Sequence, residues 1–203
     1  TCALPIWKFL KGLNTPVVTI DNKVAKDLPF VGINGKKATY EAAEQIIGKG
    51  YEKVVLVCPP LADAARENVY VHEERAAGFS KAMRKHPDVK SVIIDDWDYA
   101  KKAFQELVDS DVRTAFFCTA DIFALEIMQY FREQGKKVQR DYGIMGFDNI
   151  DILRYISPKL CTIYNSVEEV ARNAVDLLFA LMDEEEAPVE KIVDYIPVDG
   201  ETL

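Results

Sequence analysis

The reading of the fold turns on Thr114–Asp151: TAFFC (Thr114–Cys118), TADIFALEIMQYFREQG (Thr119–Gly135), then KKVQRDYGIMGFDNID (Lys136–Asp151). TAFFC is a run of strand formers of strand length. Ala124, Ile127, Met128 and Phe131 then fall at i, i+3, i+4 and i+7, which draws one apolar stripe down a helix, and Gly135 stands where a helix stops in the left-handed conformation. YGIMGF returns to strand character. A strand, a helix and a second strand in this order predict a parallel pair joined by a crossover helix.

The same alternation fills the chain. PVVTI, FVGIN, KVVLVC and VKSVII precede this unit, KLCTIY and KIVDYI follow it, and helical patterns cover Tyr40–Ile47 and Val167–Met182. The prediction is an α/β fold with parallel sheet covered on both faces. No linker, low-complexity segment or repeat interrupts it, and Asp183–Glu186 reads as a solvated acidic turn after the last helix.

Composition narrows the function classes. With 203 residues, 49% hydrophobic and 29% charged, the chain can bury one full core or two small lobes. No apolar stretch approaches the ~20 residues a membrane span needs. A net charge of −8 argues against direct nucleic-acid binding by this segment. Cys2, Cys58, Cys118 and Cys161 are widely spaced, without a CxxC, and read as buried free thiols suited to a reducing cytoplasm. His72 and His86 have no metal-ligand spacing, no Ser or Cys stands near a His, and GxGxxG is missing. Neither catalysis nor a metal or cofactor is expected.

Open parallel sheets bind ligands beyond the carboxyl ends of their strands. Asp21, Asn34, Trp97 and Thr119 stand at such ends, followed by Asp121, Asp148 and Asn165. Acceptors, amides and one indole suit a polyhydroxylated small molecule. Plainer roles compete. Asp121 is expected to cap a helix first and bind a ligand second, and for Asp148 the two roles weigh equally. Trp97 could pack in the core, Arg75 could be a solvated helix charge, and GINGKK lacks the spacing of a phosphate loop.

GKGYEKVVLV, EERAAGF, GFDNID and SPKLCTI, in this order and spacing, resemble the effector-binding domain of LacI/GalR-type transcriptional regulators from Pro16 to about Val198. The resemblance implies a periplasmic-binding-protein-like fold of type I: two Rossmann-like parallel-sheet lobes, three crossovers, and a sugar or similar effector between them. It assigns Arg75 to the arginine of ER-x-x-GF and Asp148 to the aspartate of G-[FY]-D, both effector contacts. Trp97 falls where an aromatic stacks on the ligand, and Asp21 and Asn165 lie on crossovers. Ala120-Asp121 replaces a common Asn-Asp, and Asn34-Gly35 replaces Asp-Asn, so the effector need not be a common sugar.

The resemblance also frames the ends. Relatives carry a helix-turn-helix domain and the first part of the N-terminal lobe ahead of the point where this chain begins. Residues 1–29 are expected to be a remnant of that incomplete lobe, 30–162 the C-terminal lobe, 163–188 a return to the N-terminal lobe, and 189–203 a final strand back. Thr1–Ile6 (TCALPI) back-translates to the end of a common sequencing adapter and is expected to be non-native, and Trp7–Leu13 reads as the end of an amphipathic helix. The implied protein is a cytoplasmic homodimeric regulator, touching DNA only through the preceding domain. An extracytoplasmic solute-binding protein of the same fold stands as the alternative, and an enzyme on a Rossmann-like sheet as a remoter one.

Overall fold

The computed structural model describes residue 12, residues 15–61 and residues 69–203. The expectations for Thr1–Ile6, for the helix across Trp7–Leu13 and for Cys2 therefore fall outside the described residues. From the N-terminal side come β1 (Thr19–Ile20), β2 (Phe30–Ile33), α1 (Gly35–Gly48), β3 (Lys53–Cys58) and α2 (Tyr70–Lys85). Then follow β4 (Lys90–Asp95), α3 (Tyr99–Val108), β5 (Thr114–Cys118), α4 (Asp121–Glu133) and β6 (Gly143–Met145). A short 3-10 helix (Asp151–Tyr155), β7 (Thr162–Tyr164), α5 (Val167–Met182), β8 (Glu190–Val193) and β9 (Ile196–Val198) complete it.

The larger sheet has the order β4-β3-β5-β6 with every pair parallel. Alternation along its central strands explains its two covered faces. Val54 and Leu56 of β3, with Ala115 and Phe117 of β5, point into a core closed by α1 and α2. Val55, Val57, Phe116 and Cys118 point into a second core with Ala103 and Leu107 of α3 and Ile127 and Phe131 of α4. All six residues of β3 are buried, which is why Val54–Cys58 is a continuous apolar run, while Lys53 at its start is paired with Glu106 at 2.7 Å. Cys58, Cys118 and Cys161 are buried free thiols.

Helices α1 and α2 lie close because small residues face each other: Ala38, Ala42 and Ala43 on one, Ala76, Gly78 and Ala82 on the other. A Cβ on Gly78 would stand 2.2 Å from the Lys36 carbonyl oxygen. The glycine of EERAAGF is thus a packing requirement.

The smaller sheet, β1-β2-β8, is also parallel, and β7 pairs antiparallel with β9. This pairing moves the expected boundaries. Phe30–Ile33 hydrogen-bonds to β1 and β8, so the change of sheet falls after Ile33 and not before Phe30. KIVDYI splits, β8 joining the smaller sheet while β9 pairs with β7. The helix expected at Tyr40–Ile47 begins earlier, at Gly35, because the Asn34 side chain accepts from the Lys37 N–H and caps it. Val167–Met182 is helical as expected, and Gly135 is left-handed after α4.

Helix α5 buries Val170, Ala174 and Leu177 against Val31 and Val193 but leaves Val167, Val175, Phe179 and Met182 exposed. With fewer buried contacts, the smaller sheet and α5 should exchange amide hydrogens faster than β3 and β5 in a hydrogen-exchange experiment on the monomer. Equal protection of both sheets would contradict this. Gly78→Ala should lower unfolding free energy by roughly 2 kcal/mol or more, since a backbone carbonyl cannot yield as a flexible side chain does; denaturant titration measures it.

Candidate functional site

Helix α2 carries Arg75 one turn before Gly78, so the close helix contact fixes where its side chain leaves the backbone. Arg75 is 5% exposed, not a solvated charge. Its Nη1 donates to the Thr119 carbonyl and its Nη2 to Asp148 Oδ1 at 3.1 Å. The guanidinium lies over the Phe147 ring, with Cζ 3.6 Å from the centroid. A charge this deep must be paired. Burial pushes the Arg75 pKa down and the Asp148 carboxylate opposes that, while a guanidinium stays protonated at neutral pH.

Asp148 caps no helix. The 3-10 helix begins later and has no side-chain cap. Instead, Asp148 holds φ at 107°, its N–H donates to the Ile163 carbonyl at 2.8 Å, and its Oδ1 also accepts from Asn165 Nδ2 at 3.4 Å. Asp21 (φ 58°), Asn149 (φ 54°) and Ser166 (φ 50°) share this left-handed backbone at the strand ends. Such conformations cost energy and gather where side chains must be aimed. Burial raises the Asp148 and Asp21 carboxyls above their ordinary pKa, and Arg75 pulls both back.

Asp121 corrects a second expectation. It opens α4 without capping it. Its Oδ1 accepts from the Thr162 hydroxyl at 2.6 Å and its Oδ2 from the Ile150 N–H at 2.9 Å. It therefore ties the segment after Asp148 to β7. Gly146 leaves room for it, because a Cβ there would meet Asp121 Oδ1 at 2.2 Å. Complete burial pushes the Asp121 carboxyl up to about 6, against the hydrogen bonds it accepts from Thr162 and from the backbone at Ile150 and Asn149.

Four of the five predicted residues converge. Arg75, Asp148 and Asn165 form one hydrogen-bonded cluster, and Asp21 joins Arg75 in lining a cavity of about 130 Å³ with Phe30, Asn34, Tyr70 and Glu74. Trp97 does not join them. It is 64% exposed after β4, which removes the core alternative, and no hydrogen bond or ring contact ties it to the cluster among the described residues. Sequence reasoning missed Phe147 beneath Arg75 and His72 beside it. His72 precedes Arg75 by one helical turn, a spacing that could have found it. Its Nδ1 lies 2.9 Å from Thr119 Oγ1, and burial, then the Arg75 charge, pushes its pKa down to about 4.

Among the described residues, two buried atoms of the cluster have no hydrogen-bond partner: Arg75 Nε, a donor, and Asn165 Oδ1, an acceptor. Unmet polar atoms at the carboxyl ends of a sheet are suited to a ligand bearing hydroxyls. Among the described residues, no group of three or more His, Cys, Asp or Glu is placed to hold a metal, and no helix is long and apolar enough to cross a membrane.

A sheet order reversing at β3 with polar groups gathered at the strand ends defines a ligand-binding α/β domain. Residues 43–203 match the periplasmic binding protein-like domain. The chain is 30% identical over 177 residues to the HTH-type transcriptional repressor CytR of Escherichia coli K12, covering 83% of this chain and 50% of that protein. It is 27% identical over 162 residues to the repressor PurR of Vibrio cholerae, covering 75% of this chain and 46% of the relative. The chain thus spans about half the length of these relatives. A LacI family regulator from Enterococcus faecium with bound ribose superposes with a TM-score of 0.81 at 25% identity, over 97% of this chain and 74% of that one. CcpA of Lactococcus lactis gives 0.82 at 21%, over 98% and 73%. This chain belongs to the periplasmic binding protein-like domain family, as the effector-binding domain of LacI-type regulators. CytR and PurR are transcriptional repressors.

The raised Asp121 pKa has a signed consequence. As pH falls, the folded state takes up the proton near 6 and the unfolded state only near 3.8. The contribution is therefore full below 3.8 and lost as pH rises through 6, by about 2–3 kcal/mol. Relative to Asp121→Asn, the wild type should gain that stability between pH 7 and pH 4 in denaturant titrations. A constant difference across that range would show that Asp121 is ionised in the fold with an ordinary pKa.

Proposed function

We propose that this chain senses a sugar or sugar-like effector for a LacI-type regulator, with Arg75, Asp148, Asn165 and Asp21 as its contacts and Trp97 as a ring-stacking wall brought in by the ligand. One observation carries the proposal: a buried guanidinium, paired with Asp148, leaves Nε and the neighbouring Asn165 Oδ1 without partners. The hydroxyls of a sugar can supply an acceptor to the one and a donor to the other. Solved relatives support it, one with bound ribose and one from Alkaliphilus metalliredigens with bound D-xylulofuranose, the latter at 22% identity and a TM-score of 0.79 over 94% of this chain and 71% of that one.

The whole protein would be a cytoplasmic homodimer reaching DNA through a helix-turn-helix domain outside this chain. An effector between the lobes acts through its different affinity for two lobe arrangements, which changes the spacing of the DNA-binding heads. The likeness to CytR favours this over an extracytoplasmic solute-binding protein. The gene upstream separates the two: a helix-turn-helix supports the regulator, a signal peptide the solute-binding protein.

Asp148→Asn should weaken ribose or xylulose binding about tenfold or more, because a charge-assisted hydrogen bond contributes ~1.5–3 kcal/mol. Arg75→Lys should weaken it as well, since an ammonium lacks the planar fork. Calorimetric titration gives both values, and full affinity in both folded variants would place the site elsewhere.

A further inference from the structure

Given a polyhydroxyl effector at the Arg75 cluster, we infer that His72 is a further effector-reading residue, whose imidazole, held with Arg75 on Thr119, offers Nε2 to a ligand hydroxyl. His72 and Arg75 lie one turn apart on the same face of α2. Thr119, at the carboxyl end of β5, holds both. Its carbonyl accepts from Arg75 Nη1, and its hydroxyl meets His72 Nδ1 at 2.9 Å. One residue thus sets the imidazole and the guanidinium relative to each other.

His72 Nε2 has no hydrogen-bond partner among the described residues, and the ring is only partly buried, beside Phe123 at 6.2 Å between centroids. The bond to Thr119 decides what Nε2 does. If the Thr119 hydroxyl donates to Nδ1, Nε2–H donates outward. If Nδ1–H donates to the hydroxyl, Nε2 accepts. A ligand hydroxyl can answer either arrangement, because it both donates and accepts. The charges around the ring agree. Burial and the Arg75 cation keep the imidazole neutral at pH 7, and three carboxylates, Asp21, Asp121 and Asp148, surround that cation. A neutral ring in such a place suits an uncharged hydroxyl, not a phosphate.

A purely structural role, in which His72 only satisfies the Thr119 hydroxyl, makes different predictions. His72→Asn keeps a polar group near the Nδ1 position and removes Nε2, whereas His72→Gln extends an amide toward the Nε2 position. With D-ribose and D-xylulose as probes in calorimetric titration of the 203-residue chain, His72→Asn should bind about three- to tenfold more weakly, and His72→Gln should recover part of the loss. Independently of any variant, ¹⁵N NMR of the wild-type imidazole should show Nε2 moving on saturation with sugar while Nδ1 stays in place. Sugar binding that depends on Arg75 but leaves Nε2 and the His72→Asn affinity unchanged overturns this inference and leaves the effector site standing. No binding of either sugar to the wild type overturns the sugar assignment, and the role of His72 with it.

Discussion

A single buried guanidinium organises the polar end of this molecule. Arg75 is almost wholly out of water, so its charge must be met by protein groups in three directions. The Thr119 carbonyl comes from the end of β5, Asp148 from the segment after β6, and the Phe147 ring from beneath. Through these contacts α2 is locked to two strand ends that the chain reaches much later. Removing Asp148 would take away the carboxylate paired with this buried charge.

The glycines of the two most recognisable motifs serve this same arrangement. Gly78 lets α1 and α2 approach to the distance that sets the root of Arg75. Gly146 admits the Asp121 carboxylate, which anchors the backbone at Ile150 and the hydroxyl of Thr162 and so holds Asp148 in its left-handed conformation. EERAAGF and GFDNID are thus two halves of one packing solution. Asp121 sits inside it at a cost, as its raised pKa records: a hydrogen-bonded carboxylate that still prefers its proton more than in water.

The two parallel sheets differ in how fully they are covered. The four-stranded sheet has helices on both faces and two apolar cores. Among the described residues, the three-stranded sheet packs on one helix, and Val167, Val175, Phe179 and Met182 of α5 are exposed. The Arg75 cluster draws on both sheets, since Arg75 lies on α2, which packs on the larger one, while Asp21 follows β1 of the smaller one and Asn165 leads into α5.

Periodicity alone determined the α/β class, the parallel crossovers and helices such as Val167–Met182, because these depend on local spacing of apolar residues and on Gly135-type stops. Strand-end position and motif resemblance brought Arg75, Asp148, Asn165 and Asp21 into view. What the sequence could not decide was pairing across distance. Which sheet takes Phe30–Ile33, how KIVDYI divides, whether Asp148 caps a helix or holds a guanidinium, and that Asp121 bonds to Thr162 all depend on backbone partners far along the chain. His72 belongs there too, since a histidine on a helix gains meaning only when Thr119 is folded against it. Local spacing is written in a run of residues, whereas a hydrogen bond between distant residues exists only once tertiary packing has removed the water that would otherwise take its place.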